Sequence, residues 1–261
     1  MRSLQSDETS NLRQFVSEEE WQVRIDLAAC YRLVHHYRMT DLVYTHLTAR
    51  VPGSEHHFLI NRYGLLFNEV TASNLLKIDD EGRVVGGSAE DASAVNYAGF
   101  VIHSAVHKAR ADVGCVMHTH TEAGMAVAAL KCGLLPLSQT AMRFYGRLAY
   151  HDYEGPALDL CEQARLVADL GPHDAMILRN HGLLACGPTV AEAFNTMYWL
   201  ERACQAQVAA MSCGSELVLA SEEIARRTAH QYAPGTRRRF GLMEWPAMLR
   251  LLDQIDPSYR S

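Results

Sequence analysis

Nowhere in the chain do roughly eighteen apolar residues run together, so the sequence holds no candidate for a helical membrane span. The first sixteen residues are polar and lack the apolar core of a secretion signal, and a cytoplasmic protein is the expectation. Seven cysteines are present but never as a C-x-x-C pair, and an odd, scattered set from Cys30 to Cys213 reads as reduced and mostly buried thiols rather than a disulfide framework. Basic charge is not in excess either. With 24 Lys and Arg against 30 Asp and Glu, the formal charge of -6 gives no global attraction to nucleic acid or anionic lipid. The triplet Arg237-Arg238-Arg239 is too short to reverse that reading. Internal repeats and low-complexity linkers are also missing, which argues against a modular chain.

What is there suffices for one large core, since 48% of 261 residues are hydrophobic. Residues 1–16 lack periodicity and are expected to form a flexible arm, with a single α/β domain over 17–261. Ser17-Glu18-Glu19-Glu20 has the form of a capping box and predicts a helix to about Tyr37, with Arg24 and Arg32 outside. Asp41–Val51 and Phe58–Ile60 read as a hairpin around Pro52-Gly53-Ser54, and a second hairpin is expected around Asp79–Gly82. A helical turn is expected over Val70–Leu76, a helix over Ser93–Ala109 and another from about Thr121 to Lys131. Arg147–Tyr153 reads as a strand, followed by a helix from Pro156 to about Leu170. Thr189-Val190-Ala191-Glu192 opens a long helix to about Met211, and helices over 221–233 and in the tail follow. The pattern predicts a mainly antiparallel central sheet covered by helices.

The chemistry concentrates in Val113–Glu122. An apolar run of strand character ends in His118-Thr119-His120, and alternation along an extended chain puts both imidazoles on one face. A zinc-type ion usually takes three protein ligands and keeps a position open, so a third donor is needed. His181 is the candidate, because the apolar run 175–186 breaks at Asn180-His181-Gly182 and then resumes. The helix expected after His120 would turn its positive end toward an anionic substrate group. His46 shares a strand face with Thr48, opposite Leu47.

Several of these segments together resemble the class II aldolase and adducin family, which includes fuculose-phosphate aldolase and the head domain of adducin. They are Asn96–Phe100, Ile102–His107, His118-Thr119-His120, Tyr150–Gly155, Arg179–Gly182 and the helix around Glu192-Ala193-Phe194. The resemblance covers nearly the whole chain and implies a three-layer α/β/α sandwich with a mainly antiparallel central sheet. It also implies a homotetramer with metal sites near subunit interfaces, and a divalent ion on His118, His120 and His181. Zinc is the first expectation, with manganese or iron as alternatives. The implied reaction is retro-aldol cleavage, in which the ion stabilises an enediolate.

The departures from the pattern are informative. The general acid/base glutamate of the sugar-phosphate aldolases falls here on Gly99. Their phosphate-binding Gly-Asn-x-Ser segment is replaced by Thr45-His46-Leu47-Thr48, so a non-phosphorylated hydroxy-carbonyl or carboxylate is the expected substrate. A tyrosine borrowed from a neighbouring subunit has Gln139 nearest in register and Tyr145 beyond it. His46 and Tyr145 are therefore the candidate catalytic residues, Arg143 and Arg147 a candidate carboxylate clamp, and His103 and His107 are read on the outer part of their helix. A lyase of the aldolase or decarboxylase type is the leading reading, with an iron-dependent oxygenase on the same fold as an alternative. A non-catalytic adducin-head-like assembly protein is the third. Actin capping is not expected, because the chain ends at Ser261 without a long lysine-rich extension.

Overall fold

The computed structural model describes residues 12–54, 56–86, 88–155 and 161–261. Their strands form one seven-stranded sheet: β1 (His46–Arg50), β2 (His57–Ile60), β3 (Leu76–Asp79), β4 (Cys115–Thr119), β5 (Leu148–His151), β6 (Ala175–Leu178) and β7 (Gly182–Gly187), in the spatial order β3-β2-β1-β4-β7-β6-β5. The sheet is mixed, because β5 and β6 run parallel while the other pairings are antiparallel. The parallel step follows from the long crossover through the helix Glu162–Leu170, which returns the chain to the same end of the sheet.

Helices cover both faces. On one side α1 (Glu18–His36) and the long helix Val190–Ser212 pack with the C-terminal helix Trp245–Ile255 over Leu47, Ala49, Cys115, Met117, Ile177, Leu183 and Ala185. On the other, α2 (Tyr97–Ala109) and the helix Glu162–Leu170 lay Ile102, Val106, Leu166 and Leu170 on Val116, Met176, Leu184 and Cys186. Strands β4, β6 and β7 therefore divide their side chains between these two cores with the period of two that a pleated strand imposes, and a third cluster of Phe58, Ile60, Leu76 and Ile78 with Phe100 and Val101 lies at the β2–β3 edge. Burial of such side chains contributes about 1.5–3 kcal/mol apiece.

Local expectations were revised in several places. Ser17 does cap α1, accepting from the Glu20 amide at 3.1 Å, but the Glu20 carboxylate turns inward to Arg24 at 3.0 Å and Lys77 at 2.6 Å instead of back to the cap. Arg24 is consequently buried, and it also donates to the carbonyls of Ala72 and Leu75. The residues Ala72–Asn74 form a turn, with a 3-10 helix before it at Phe67–Glu69, because Asn74 ties its side chain to the Thr71 amide and the Glu69 carbonyl. The second hairpin shrinks to a bridge between Ile78 and Val84. Of the expected arm, residues 1–11 lie outside the described residues; 12–15 form a helical turn, and Leu12 and Val16 pack against the core. The expected helix start at Pro156 also lies outside them.

Candidate metal centre

The site forms where β4, β1 and the β6–β7 turn meet. His118 is paired directly across from His46 on β1 and from Leu184 on β7, so the three central strands fix its position. His120 follows at the strand end, and Thr119 between them turns to the opposite face, toward Met197. His181 sits in a tight turn closed by its own amide donating to the Leu178 carbonyl at 3.1 Å. Asn180 takes the left-handed conformation at φ 54°, which asparagine tolerates better than most residues. Gly182 is needed for a different reason: a Cβ there would meet the Thr119 carbonyl oxygen at 2.4 Å.

The three imidazoles converge. His118 Nε2 lies 2.8 Å from His120 Nε2, which lies 2.9 Å from His181 Nε2. These histidines form a group that could hold a metal ion. The tautomers are set from behind: His118 Nδ1–H donates to the Leu183 carbonyl at 2.9 Å, and His120 Nδ1–H donates to the Asp41 carboxylate at 3.0 Å. With their protons on Nδ1, His118 and His120 face each other with lone pairs. Two acceptors at 2.8 Å with no proton to share repel, and a cation between them removes the repulsion. Burial, followed by the neighbouring imidazoles, pushes the His118 proton affinity well below the ordinary value and that of His181 down to about 4. Neutral imidazole is the form a metal takes. The donor set thus fits a divalent ion.

His46 lies beside this group. Its ring centroid stands 6.0 Å from that of His118 and 4.0 Å from that of His103, and the side chain is buried. Burial is the main cause that lowers its pKa to about 3, opposed by a backbone contact to Gly99 and reinforced by the proximity of His120 and His181. The imidazole is therefore neutral at pH 7. A Cβ added at Gly99 would fall 2.5 Å from the His46 ring, so this imidazole occupies the space into which a side chain at Gly99 would grow. Thr45, the position of the expected glycine, holds φ 66°, a conformation unusual for a β-branched residue, and its hydroxyl is buried without a partner among the described residues.

The remaining candidates are placed differently. Tyr145 lies on the turn before β5, at the opposite end of the sheet from His181, with the Arg226 guanidinium over its ring at 5.7 Å. Tyr153 is the tyrosine that approaches the site, its ring centroid 6.1 Å from that of His181. Arg143 and Arg147 line a separate cleft with Gly187 and Ala175, again at the far end of the sheet. His103 and His107 face inward, not outward, and share the Thr48 hydroxyl at 2.8 and 2.9 Å. The helix after His120 spans seven residues, Glu122–Ala128; Thr121 caps it through the Gly124 amide and Glu122 places a negative charge in its first turn, which works against an anion seat. Asp41 and Tyr153 were not singled out from sequence. Tyr153 stood within a quoted motif, whereas Asp41 carried no periodic signal.

Comparison with known proteins shows likeness over most of the chain. Residues 25–208 match the class II aldolase and adducin N-terminal domain. An aldolase II superfamily protein from Pseudomonas syringae is 50% identical, with a TM-score of 0.88 over 96% of this chain and 99% of that one. L-fuculose 1-phosphate aldolase from Glaciozyma antarctica is 31% identical, with a TM-score of 0.81 over 93% of each chain. Alpha-adducin from Rattus norvegicus is 40% identical over 89% of this chain, which spans 33% of that protein. The chain belongs to the class II aldolase and adducin family.

Proposed function

We propose that this chain is a divalent-metal-dependent carbon–carbon lyase, of the aldolase or decarboxylase type, acting on a small non-phosphorylated hydroxy-carbonyl or carboxylate. The observation that carries the reading is the convergence of His118, His120 and His181 with the Nδ1 protons of the first two committed elsewhere. These residues would hold the ion, zinc first and manganese or iron otherwise. When bound, it supplies the Lewis acidity that favours the enediolate left by carbon–carbon cleavage.

The chain's own residues do the rest. Asp41 holds the His120 tautomer, and the Leu183 carbonyl holds that of His118. His46 stands in the space beside Gly99 with no side chain hydrogen-bonded to either ring nitrogen among the described residues, so its neutral imidazole is open to accept a proton from the substrate. Tyr153, rather than Tyr145, is the phenol near enough within one chain to return a proton to the carbon left with the electron pair when the carbon–carbon bond breaks. A homotetramer, as the family resemblance implies, would bring residues from a second chain toward the site, and the absence of a long apolar run or signal core in the sequence supports a cytoplasmic location. The reading is tested by loading the protein with zinc and following aldehyde release from L-fuculose 1-phosphate, the substrate named for its Glaciozyma relative, and from L-fuculose. A preference for the free sugar is the expected result, and strong preference for the phosphate would overturn the substrate class.

The alpha-adducin likeness favours one second reading, an assembly protein with a retained ion site. It requires that function survive replacement of the three histidines together.

A further inference from the structure

A cleft of about 520 Å³ opens between the start of β6, the turn that follows the one-turn helix Gln139–Met142, and residues 232–240. It reaches the Gly187 end of β7, whereas His181 stands just before Gly182 at the other end. The strand between them spans about 17 Å at the usual rise, so within one chain the cleft and the histidine group are separate. Tyr232 and Phe240 help to line it, and both lie beyond the matched family domain at 25–208.

Arginines and carboxylates share the lining, but not evenly. Asp112 and Asp174 pair with Arg110 at 2.7 and 3.4 Å, and Glu192 pairs with Arg239 at 2.6 Å. Arg143 and Arg147 also line the cleft and make no ion pair or side-chain hydrogen bond among the described residues. The Arg143 guanidinium carbon instead lies 4.3 Å from the ring centroid of Tyr232, 4.8 Å from that of Trp199 and 5.2 Å from that of Phe240. Burial lowers its pKa to about 10, which leaves the group charged at pH 7, and the carboxylates within electrostatic reach, Glu244 for Arg143 and Asp174 for Arg147, form no ion pair with either arginine among the described residues. A guanidinium donates in its own plane, so rings packed on it leave its edge for an acceptor.

We infer that this cleft binds a small molecule through an oxyanion, carboxylate or phosphate, held by Arg143 and Arg147, with Trp199 and Phe240 against its apolar part. Carboxylate and phosphate present the same paired oxygens to an arginine fork. The protein is not short of other arginines, but those of this cleft that have acids beside them are already neutralised.

The test is isothermal titration of the full chain with succinate and, separately, with inorganic phosphate. It is run before and after metal removal with 1,10-phenanthroline, a neutral chelator that does not compete for arginine. One saturable equivalent per chain of at least one anion is expected, indifferent to metal removal, and the anion that binds identifies the source of the oxyanion. Arg147→Gln and Arg143→Lys, the second of which keeps the charge and loses the fork, should each weaken it about tenfold. Should Arg143→Lys fail to fold, Arg147→Gln decides. Saturation by neither anion, parent-like binding in Arg147→Gln, or binding that vanishes with the metal would overturn the proposal.

Discussion

At the scale of single residues, the contact between Gly99 and His46 distinguishes this site from the sugar-phosphate aldolase pattern. The glycine amide is held by the Asn96 side chain at the start of α2, and the absent Cβ leaves room for the His46 ring. Gly99→Ala should therefore destabilise the protein by about 1–3 kcal/mol through overpacking. In a His46→Ala background most of that cost should disappear, and denaturant unfolding of the four-member cycle reads the coupling. Additive effects would show that the two positions do not compete for space. His107 gives a second prediction. Buried against Phe58 and the Thr48 hydroxyl, its pKa is lowered to about 3, so the unfolded chain binds the proton more tightly. Stability is then fully present above the unfolded value near 6.5 and is lost as the pH falls toward 3. Between pH 7 and pH 5 this one group accounts for up to about 2 kcal/mol. His107→Gln should flatten the pH dependence of the denaturation midpoint over that range, and an unchanged slope would contradict the assignment.

At the scale of elements, the β6–β7 turn shows how backbone constraints place a donor. Asn180 supplies the left-handed residue and Gly182 the close approach to Thr119, so His181 is fixed by its two neighbours. Gly182→Ala should cost about 1–3 kcal/mol and lower zinc uptake, whereas Asn180→Gly should leave both near the parent values. Zinc titration with a competing chromophoric chelator measures this, and full uptake by Gly182→Ala would show that the turn does not position His181. This turn was legible in the sequence because a polar Asn-His-Gly interrupts an apolar run, and the His-x-His pair was legible because strand alternation is a local rule. Asp41 was not, since its bond to His120 depends on a turn in which Leu42 and Thr45 both take positive φ against their usual preference. Arg24 and His103 were read as outward for a related reason. Periodicity assigns polar residues to solvent, and it cannot see a buried partner such as Glu20 or Thr48.

At the scale of the whole molecule, the sheet carries the histidine group at one end and the arginine cleft at the other, with hydrophobic clusters on both of its faces. The segment beyond the matched family domain closes the first core. Trp245 donates to Asp26 at 2.8 Å and Tyr259 is buried beneath α1, so the C-terminal helix is part of the fold that supports β1. Among the described residues no helix is long and apolar enough to cross a membrane. The central claim is that this scaffold presents His118, His120 and His181 to one divalent ion. The most direct test is elemental analysis of the purified, untagged protein without added metal, alongside the His118→Ala, His120→Ala and His181→Ala variants. Near one ion per chain is the expected result, with strong loss in every variant because each removes a third of the protein donors. Zinc or manganese would direct assays to lyase chemistry and iron to oxygen-dependent turnover. No metal in the parent, and none taken up on reconstitution, would contradict the account.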